Sequence, residues 1–158
     1  MTTRHKGYMY DDLGDSPTTA QIAAAIRADV KTAVAEGLLP RHWRYSVRSH
    51  LFAGGSAIDV QVKSCPDAWQ ECDGMRVGSR HTYPDGTVTG AACGNVWCKA
   101  GGQYRDLPGA ETHQVLTEDA EVARLTLERI HNAYNHDGSD VTTDYFDVRY
   151  YGTVTFDR

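Results

Sequence analysis

The apolar residues of this chain change their spacing at one point, and that change fixes the class of fold. Ile22, Ile26, Val30 and Val34 recur every fourth residue, with Ala23 and Ala33 beside them, which makes one face of an amphipathic helix. Thr18 followed by Gln21 has the form of a capping box, and Gly37 and Pro40 supply a stop. From Trp43 the spacing becomes two. Trp43, Tyr45 and Val47 alternate with Arg44, Ser46 and Arg48, and after a loop over 50–56 a second strand over 57–63 places Ile58, Val60 and Val62 on one side. The pair predicts a hairpin whose apolar face receives the helix, with Arg44, Arg48, Asp59 and Gln61 on the other face.

The C-terminal part repeats the order of helix then strand. A second helix begins at Thr117, where Glu118, Asp119 and Glu121 complement its dipole, and Val122, Leu125, Ile130 and Tyr134 are its expected buried residues. It should fade near Asn135. Asp144 to Phe156 reads as a long aromatic strand bent or bulged at Gly152. Residues 1–16 are a polar arm whose Tyr8, Met9 and Tyr10 can dock on the body. Residues 64–112 change character, becoming rich in Gly, Asp and Cys, with a small hairpin signalled by Pro84-Asp85-Gly86. The expectation is an α+β fold: one domain over 17–158, built as a small, mainly antiparallel sheet with two helices on one face and a cysteine-containing insertion at 64–112.

Length and charge narrow the class further. A chain of 158 residues with a formal charge of -5 suits one soluble domain and disfavours a protein that wraps nucleic acid with its whole surface. The charge is unevenly placed: residues 21–64 carry six basic and three acidic groups, whereas residues 113–158 carry four and nine. Such polarity favours oriented docking on a charged partner. The opening MTTRHKGYMYDDLGD has no apolar core region and no long apolar run follows, so the reading predicts a cytoplasmic protein with no membrane contact.

In that compartment the four cysteines read as thiols or metal ligands before disulfides. They fall as Cys65-x6-Cys72 and Cys93-x4-Cys98, two pairs that loops can close around one tetrahedral ion. Structural Zn2+ on Cys65, Cys72, Cys93 and Cys98, with His81 or His113 replacing one thiolate, stands beside disulfides and packed reduced thiols.

Two further groups of residues are candidates for chemistry or binding. His131, His136, Asp137, Asp140, Asp144 and Asp147 form a segment over 131–147 that could bind a hard cation or do acid-base work, although Asn135 to Asp140 also has the composition of a turn. The Gly54-Gly55 turn, with Arg48 and Ser56 near it, could cradle an anion, or simply close the hairpin with Leu51 and Phe52 exposed for a protein contact.

The segment YSVRSHLFAGGSAIDVQV, Tyr45 to Val62, behind an amphipathic helix, resembles the large polyvalent protein-associated domain family, the twenty-ninth of that numbered series. YNHDGSDVTTDYFDVRYYG, Tyr134 to Gly152, is similar to that family's closing segment. The resemblance implies a protein of bacteriophages or other mobile elements with an accessory role such as counter-defence. It implies no catalytic residues, and it leaves out the cysteine-containing stretch, which simpler members lack. The expectation is therefore an accessory factor that binds a host protein without catalysis, with Arg44, Arg48, Leu51, Phe52, Ser56, Asp137 and Asp140 as candidate contact residues. The alternatives are a nucleic-acid-binding protein that uses the basic hairpin face, or an enzyme at 131–147.

Overall fold

Thr18 opens the first helix through a reciprocal cap. Its hydroxyl accepts the Gln21 amide (3.2 Å), and the Gln21 side chain accepts the Thr18 amide (2.8 Å), which starts α1 (Thr19–Ala35). Ile22, Ala23, Ile26, Val30 and Ala33 are buried along one face, as their spacing predicts. The computed structural model describes residues 5–139 and 147–158. Contacts divide the chain into two units, Met1–Cys65 with Ala123–Arg158, and Pro66–Val122.

In the first unit the period-two segments pair as β2 (Arg44–Phe52) and β3 (Gly55–Lys63), following a short β1 (His5–Lys6) near the N-terminus. The ladder is antiparallel and runs from Arg44 opposite Lys63 to Phe52 opposite Gly55. The stretch expected as a loop over 50–56 is thus mostly strand, and only Ala53 and Gly54 turn the chain. Alternation decides which side is core: Val47, Ile58, Val60 and Val62 are buried, while Arg44 and Arg48 are exposed on the other face.

The second unit holds four short strands, β4 (Trp69–Glu71), β5 (His81–Thr82), β6 (Val88–Thr89) and β7 (Gln114–Leu116). β4 pairs antiparallel with β7 and so ties together the two ends of the segment. β5 and β6 form the small hairpin, in which the Asp85 carboxylate accepts the Thr87 amide (2.9 Å) as an Asx turn.

The second helix, α2 (Glu118–Asn132), is capped by Thr117, whose hydroxyl accepts the Ala120 amide (3.2 Å). Ile130 and Tyr134 are buried as expected, but the rest of its buried face differs. Ala120, Ala123, Leu127 and Ile130 are buried, whereas Val122 and Leu125 are 60% and 54% exposed. The alanines define the face because a helix approaches its neighbours most closely along its smallest side chains. The end of α2 is locked into the first unit by polar bonds: His131 Nε2 donates to the Ile58 carbonyl (2.7 Å), and the Tyr134 hydroxyl donates to Asp29 on α1 (2.7 Å). Burial and the Asp29 carboxylate push the Tyr134 hydroxyl well above its ordinary pKa.

After α2 the chain forms β8 (His136–Asp137), antiparallel to β1, and later β9 (Val154–Phe156). Of the strand expected over Asp144 to Phe156, residues 144–146 lie outside the described residues. The described part is interrupted: Val148 bridges to Asp137, Tyr151 to Ala57, and only β9 continues as a ladder. β9 runs parallel to β3, giving a three-stranded sheet in the order β2-β3-β9. The break has a physical cause at Gly152. With φ at 139° it lies so close to β3 that a Cβ would overlap the Ile58 carbonyl. Tyr150, completely buried, donates to the His131 carbonyl and packs edge-on against the His131 ring at 5.3 Å. Among the described residues no helix is long and apolar enough to cross a membrane.

Gly152 yields a direct test. Gly152→Ala should lower unfolding free energy by about 3 kcal/mol or more, because it combines a strained backbone with overlap against another backbone that cannot yield. Chemical denaturation of the full chain measures this, and a loss below about 0.5 kcal/mol would contradict the close approach.

Candidate metal centre and exposed hairpin

In the second unit the side chains that are both apolar and buried are Ala68, Cys72, Cys98 and Ala120. That is too little hydrophobic surface to hold more than fifty residues together, and it points to the cysteines as the organising element. Cys72, Cys93, Cys98 and His113 meet there, each offering one ligand atom, with all four atoms within 4.8 Å of one another. Three thiols and an imidazole at this spacing can hold a metal ion.

The backbone brings them together in three steps. Cys72 lies just after β4, and its amide donates to the His113 carbonyl just before β7 (2.9 Å), so the strand pair brings first and last ligands together. Cys93 donates its amide to the Gly74 carbonyl (3.0 Å), beside a bridge between Met75 and Ala92. Cys98 begins a tight turn in which its carbonyl accepts the Gly102 amide (2.7 Å). Gly74, at φ 90°, lets the Cys72 and Cys98 turns touch, because a Cβ there would press on the Ala100 carbonyl oxygen.

Electrostatics divides the thiols. The Cys72 and Cys98 sulfurs are 3.8 Å apart. Burial, reinforced by the neighbouring thiols, pushes Cys72 up to about 11, although the Gly74 amide donates to its sulfur (3.4 Å). Burial acts on Cys98 in the same sense, but the amides of Ala100 and Gly101 and the two other thiols outweigh it and hold Cys98 below the ordinary thiol value. Amides directed at sulfur favour the thiolate, the form that binds metal. The Asn95 amide nitrogen lies 3.5 Å from His113 Nδ1.

Cys65, the fourth expected ligand, is not in this group. It belongs to the first unit, at the end of β3, where its buried thiol donates to the carbonyls of Val62 (3.6 Å) and Asp157 (3.3 Å). The sequence carried the signal, since Cys65 lies two residues beyond Lys63, the end of the period-two strand. Of the two histidines named as replacements, His113 joins the cluster. His81 is exposed on β5 and packs edge-on against Tyr83 at 4.5 Å. All four cysteines are thiols outside any disulfide.

The other expected contact residues are dispersed. Leu51 and Phe52 end β2, 78% and 45% exposed, and the Phe52 ring lies 6.0 Å from that of Tyr151, itself exposed. Ser56 is not available to an anion: it is buried in β3 and its hydroxyl donates to the Arg149 carbonyl (3.3 Å). Gly55 is already paired with Phe52, so the Gly-Gly turn forms no cradle of free amides. Arg48 stands opposite Asp59, and Arg44 opposite Lys63. Asp137 lies in β8, where the hydroxyl and amide of Ser139 hold its carboxyl below the usual range. Asp140 and Asp144 lie outside the described residues. Among the described residues of 131–147, His136 Nδ1 is 3.8 Å from the Asp147 carboxylate, while His131 is occupied in the core. One surface had no signal in the sequence: Trp97 and Tyr104, both partly exposed, pack at a tilt with ring centres 4.9 Å apart on the loop that carries Cys98.

Compared with known proteins, the chain matches no family model, no curated protein and no solved structure.

The ligand set predicts how the cysteines divide under mutation. Cobalt(II) titration of the full chain should show thiolate charge-transfer absorption at one ion per chain. Cys98→Ser should weaken binding about a hundredfold or more, while Cys65→Ser should leave it unchanged. Loss of the absorption on removing Cys65 would instead make it a ligand.

Proposed function

We propose that this is a non-enzymatic accessory protein of a bacteriophage or mobile element, acting in the host cytoplasm by binding a host protein, with counter-defence as its setting. The observation that carries the reading is the exposed apolar end of the hairpin, where Phe52 packs near Tyr151 on one face of the sheet and Leu51 is exposed on the other. Apolar side chains held at the tip of a paired strand suit a protein contact better than catalysis. The resemblance of Tyr45–Val62 and Tyr134–Gly152 to the twenty-ninth large polyvalent protein-associated domain supplies the biological setting.

The metal in this reading is structural Zn2+ on Cys72, Cys93, Cys98 and His113. Two sulfurs each about 2.3 Å from one tetrahedral ion stand about 3.8 Å apart, and the Cys72 and Cys98 sulfurs are separated by 3.8 Å. Four protein ligands close the coordination sphere, so the ion would stabilise the second unit and leave no open position for a substrate. The enzyme alternative loses one of its two imidazoles to the core, because His131 is bonded to Ile58. The nucleic-acid alternative keeps one specific support, the basic pair of Arg44 and Lys63 across the ladder.

Affinity purification of the tagged chain from host cells tests the main reading. A host protein should be recovered stoichiometrically, and the double change Leu51→Ser, Phe52→Ser should abolish its recovery without altering thermal stability. Salt-sensitive retention of DNA or RNA that is lost in Arg44→Ala, Arg48→Ala, with recovery of the host protein unaffected by the tip change, would favour the nucleic-acid reading instead.

A further inference from the structure

β2 has one paired edge and one open edge, and the register shows which backbone groups face outward. In an antiparallel ladder, alternate residues turn both N–H and C=O away from the partner strand. On β3, Ile58 and Val60 donate the other way, to the carbonyls of Tyr151 (2.8 Å) and Thr153 (2.9 Å). Their opposite residues on β2, Ser49 and Val47, therefore direct their own backbone groups away from β3, and by the same alternation so does Leu51. The side chain of Arg27 on α1 verifies this direction, since its guanidinium donates to the Val47 carbonyl (2.9 and 3.2 Å). Among the described residues nothing else meets this edge: the amides of Val47, Ser49 and Leu51 and the carbonyls of Ser49 and Leu51 have no partner.

The surroundings of that edge differ on its two sides. Towards α1 a cavity of about 320 Å³ opens on Val30, Val34, Tyr45 and Val47, between Arg27 and Lys31. A second, of about 430 Å³, lies between Thr18–Ala20 and Ser49–Leu51. On the opposite face the exposed side chains of β2 include Arg44 and Arg48. Arg44 is opposite Lys63, so no acid offsets it across the ladder, whereas Arg48 is opposite Asp59.

We propose that the open edge of β2 binds an extended segment of an acidic partner protein as an added strand, in which apolar side chains alternate with Asp or Glu. Main-chain bonds to Val47, Ser49 and Leu51 supply affinity, and alternation supplies specificity. Side chains on one face of the added strand enter the apolar cavities beside α1, and those on the other face meet Arg44 and Arg48. A second copy of this chain is a poor occupant, because the matching face of its β2 carries Arg44, Ser46, Arg48, His50 and Phe52 and no acidic side chain. The inference rests on the reading of the molecule as a protein-binding factor and names the form of the partner's contact.

The test uses the full chain and a displayed library of random linear peptides. Selected sequences should alternate apolar residues with Asp or Glu, and the best of them should slow amide exchange at Val47, Ser49 and Leu51. Ser49→Pro removes an outward amide that β3 does not use, and proline is tolerated on an open edge. This change should weaken the peptide about tenfold or more while thermal stability holds. Absence of enrichment, or binding that leaves those amides in fast exchange, overturns the inference whether or not Ser49→Pro folds. A host protein lost with the Leu51→Ser, Phe52→Ser tip but retained by a folded Ser49→Pro also overturns it, while leaving the proposed function standing. Oligonucleotide binding that depends on Arg48 and ignores Ser49→Pro would assign the basic face to nucleic acid instead.

Discussion

The first unit depends on the burial of β3. Ile58, Val60 and Val62 are completely enclosed, and the strand is paired on both edges, with β2 on one side and β9 on the other. Each fully buried branched side chain contributes about 1.5–3 kcal/mol of transfer free energy, and three in alternation leave no freedom of register, since a slip by one residue would turn all of them to solvent. The polar contacts follow the same strand. His131 bonds to the carbonyl of Ile58, Gly152 presses against it, and the Cys65 thiol donates to that of Val62. Helices, C-terminal strand and thiol are thereby positioned by one segment.

The second unit is organised by a different kind of force. Its two buried alanines and two buried cysteines bring little hydrophobic free energy, and its strands are two or three residues long. A chain of this kind needs a cross-link, and a structural zinc ion supplies about 10–16 kcal/mol in small metal-bound domains. The backbone is already arranged for one: the Gly74 amide donates to the Cys72 sulfur, while the amides of Ala100 and Gly101 stabilise Cys98. A set of four protein ligands suits an ion that holds the unit together better than one that works on a substrate.

The fold was legible in the sequence wherever periodicity was long. Helix α1 with its cap and the β2-β3 hairpin with its buried face follow from spacing alone, because each repeats its pattern enough times to exclude other structures. Helix α2 is legible in its position but not in its rotation: Val122 and Leu125 outrank Ala120 and Ala123 in hydrophobicity, yet close approach selects small residues. The parallel pairing of β9 was not legible, since strand direction depends on where a long connection returns. The metal group was legible as a cluster of cysteines and not as a ligand set. Cys65 and Cys72 are near in sequence, but β3 claims the first for the core, and only the β4-β7 pairing brings His113 to the position it leaves.

The same local physics gives the hairpin two unlike halves. Near its base, α1 covers β2, and Arg27 occupies the Val47 carbonyl, a device that protects an edge by giving its acceptor to the protein's own side chain. Beyond Val47 that cover ends, and every residue from Arg48 to Phe52 is exposed although the ladder to β3 continues. Edges that carry no function are usually shortened, bulged or kinked with proline, and this one is regular to its tip. It also carries Arg48 rather than an unbroken apolar row, so charge opposes indiscriminate pairing while the backbone remains available. An edge left open by geometry and guarded by charge discriminates among strands, which is what a surface for one acidic partner requires.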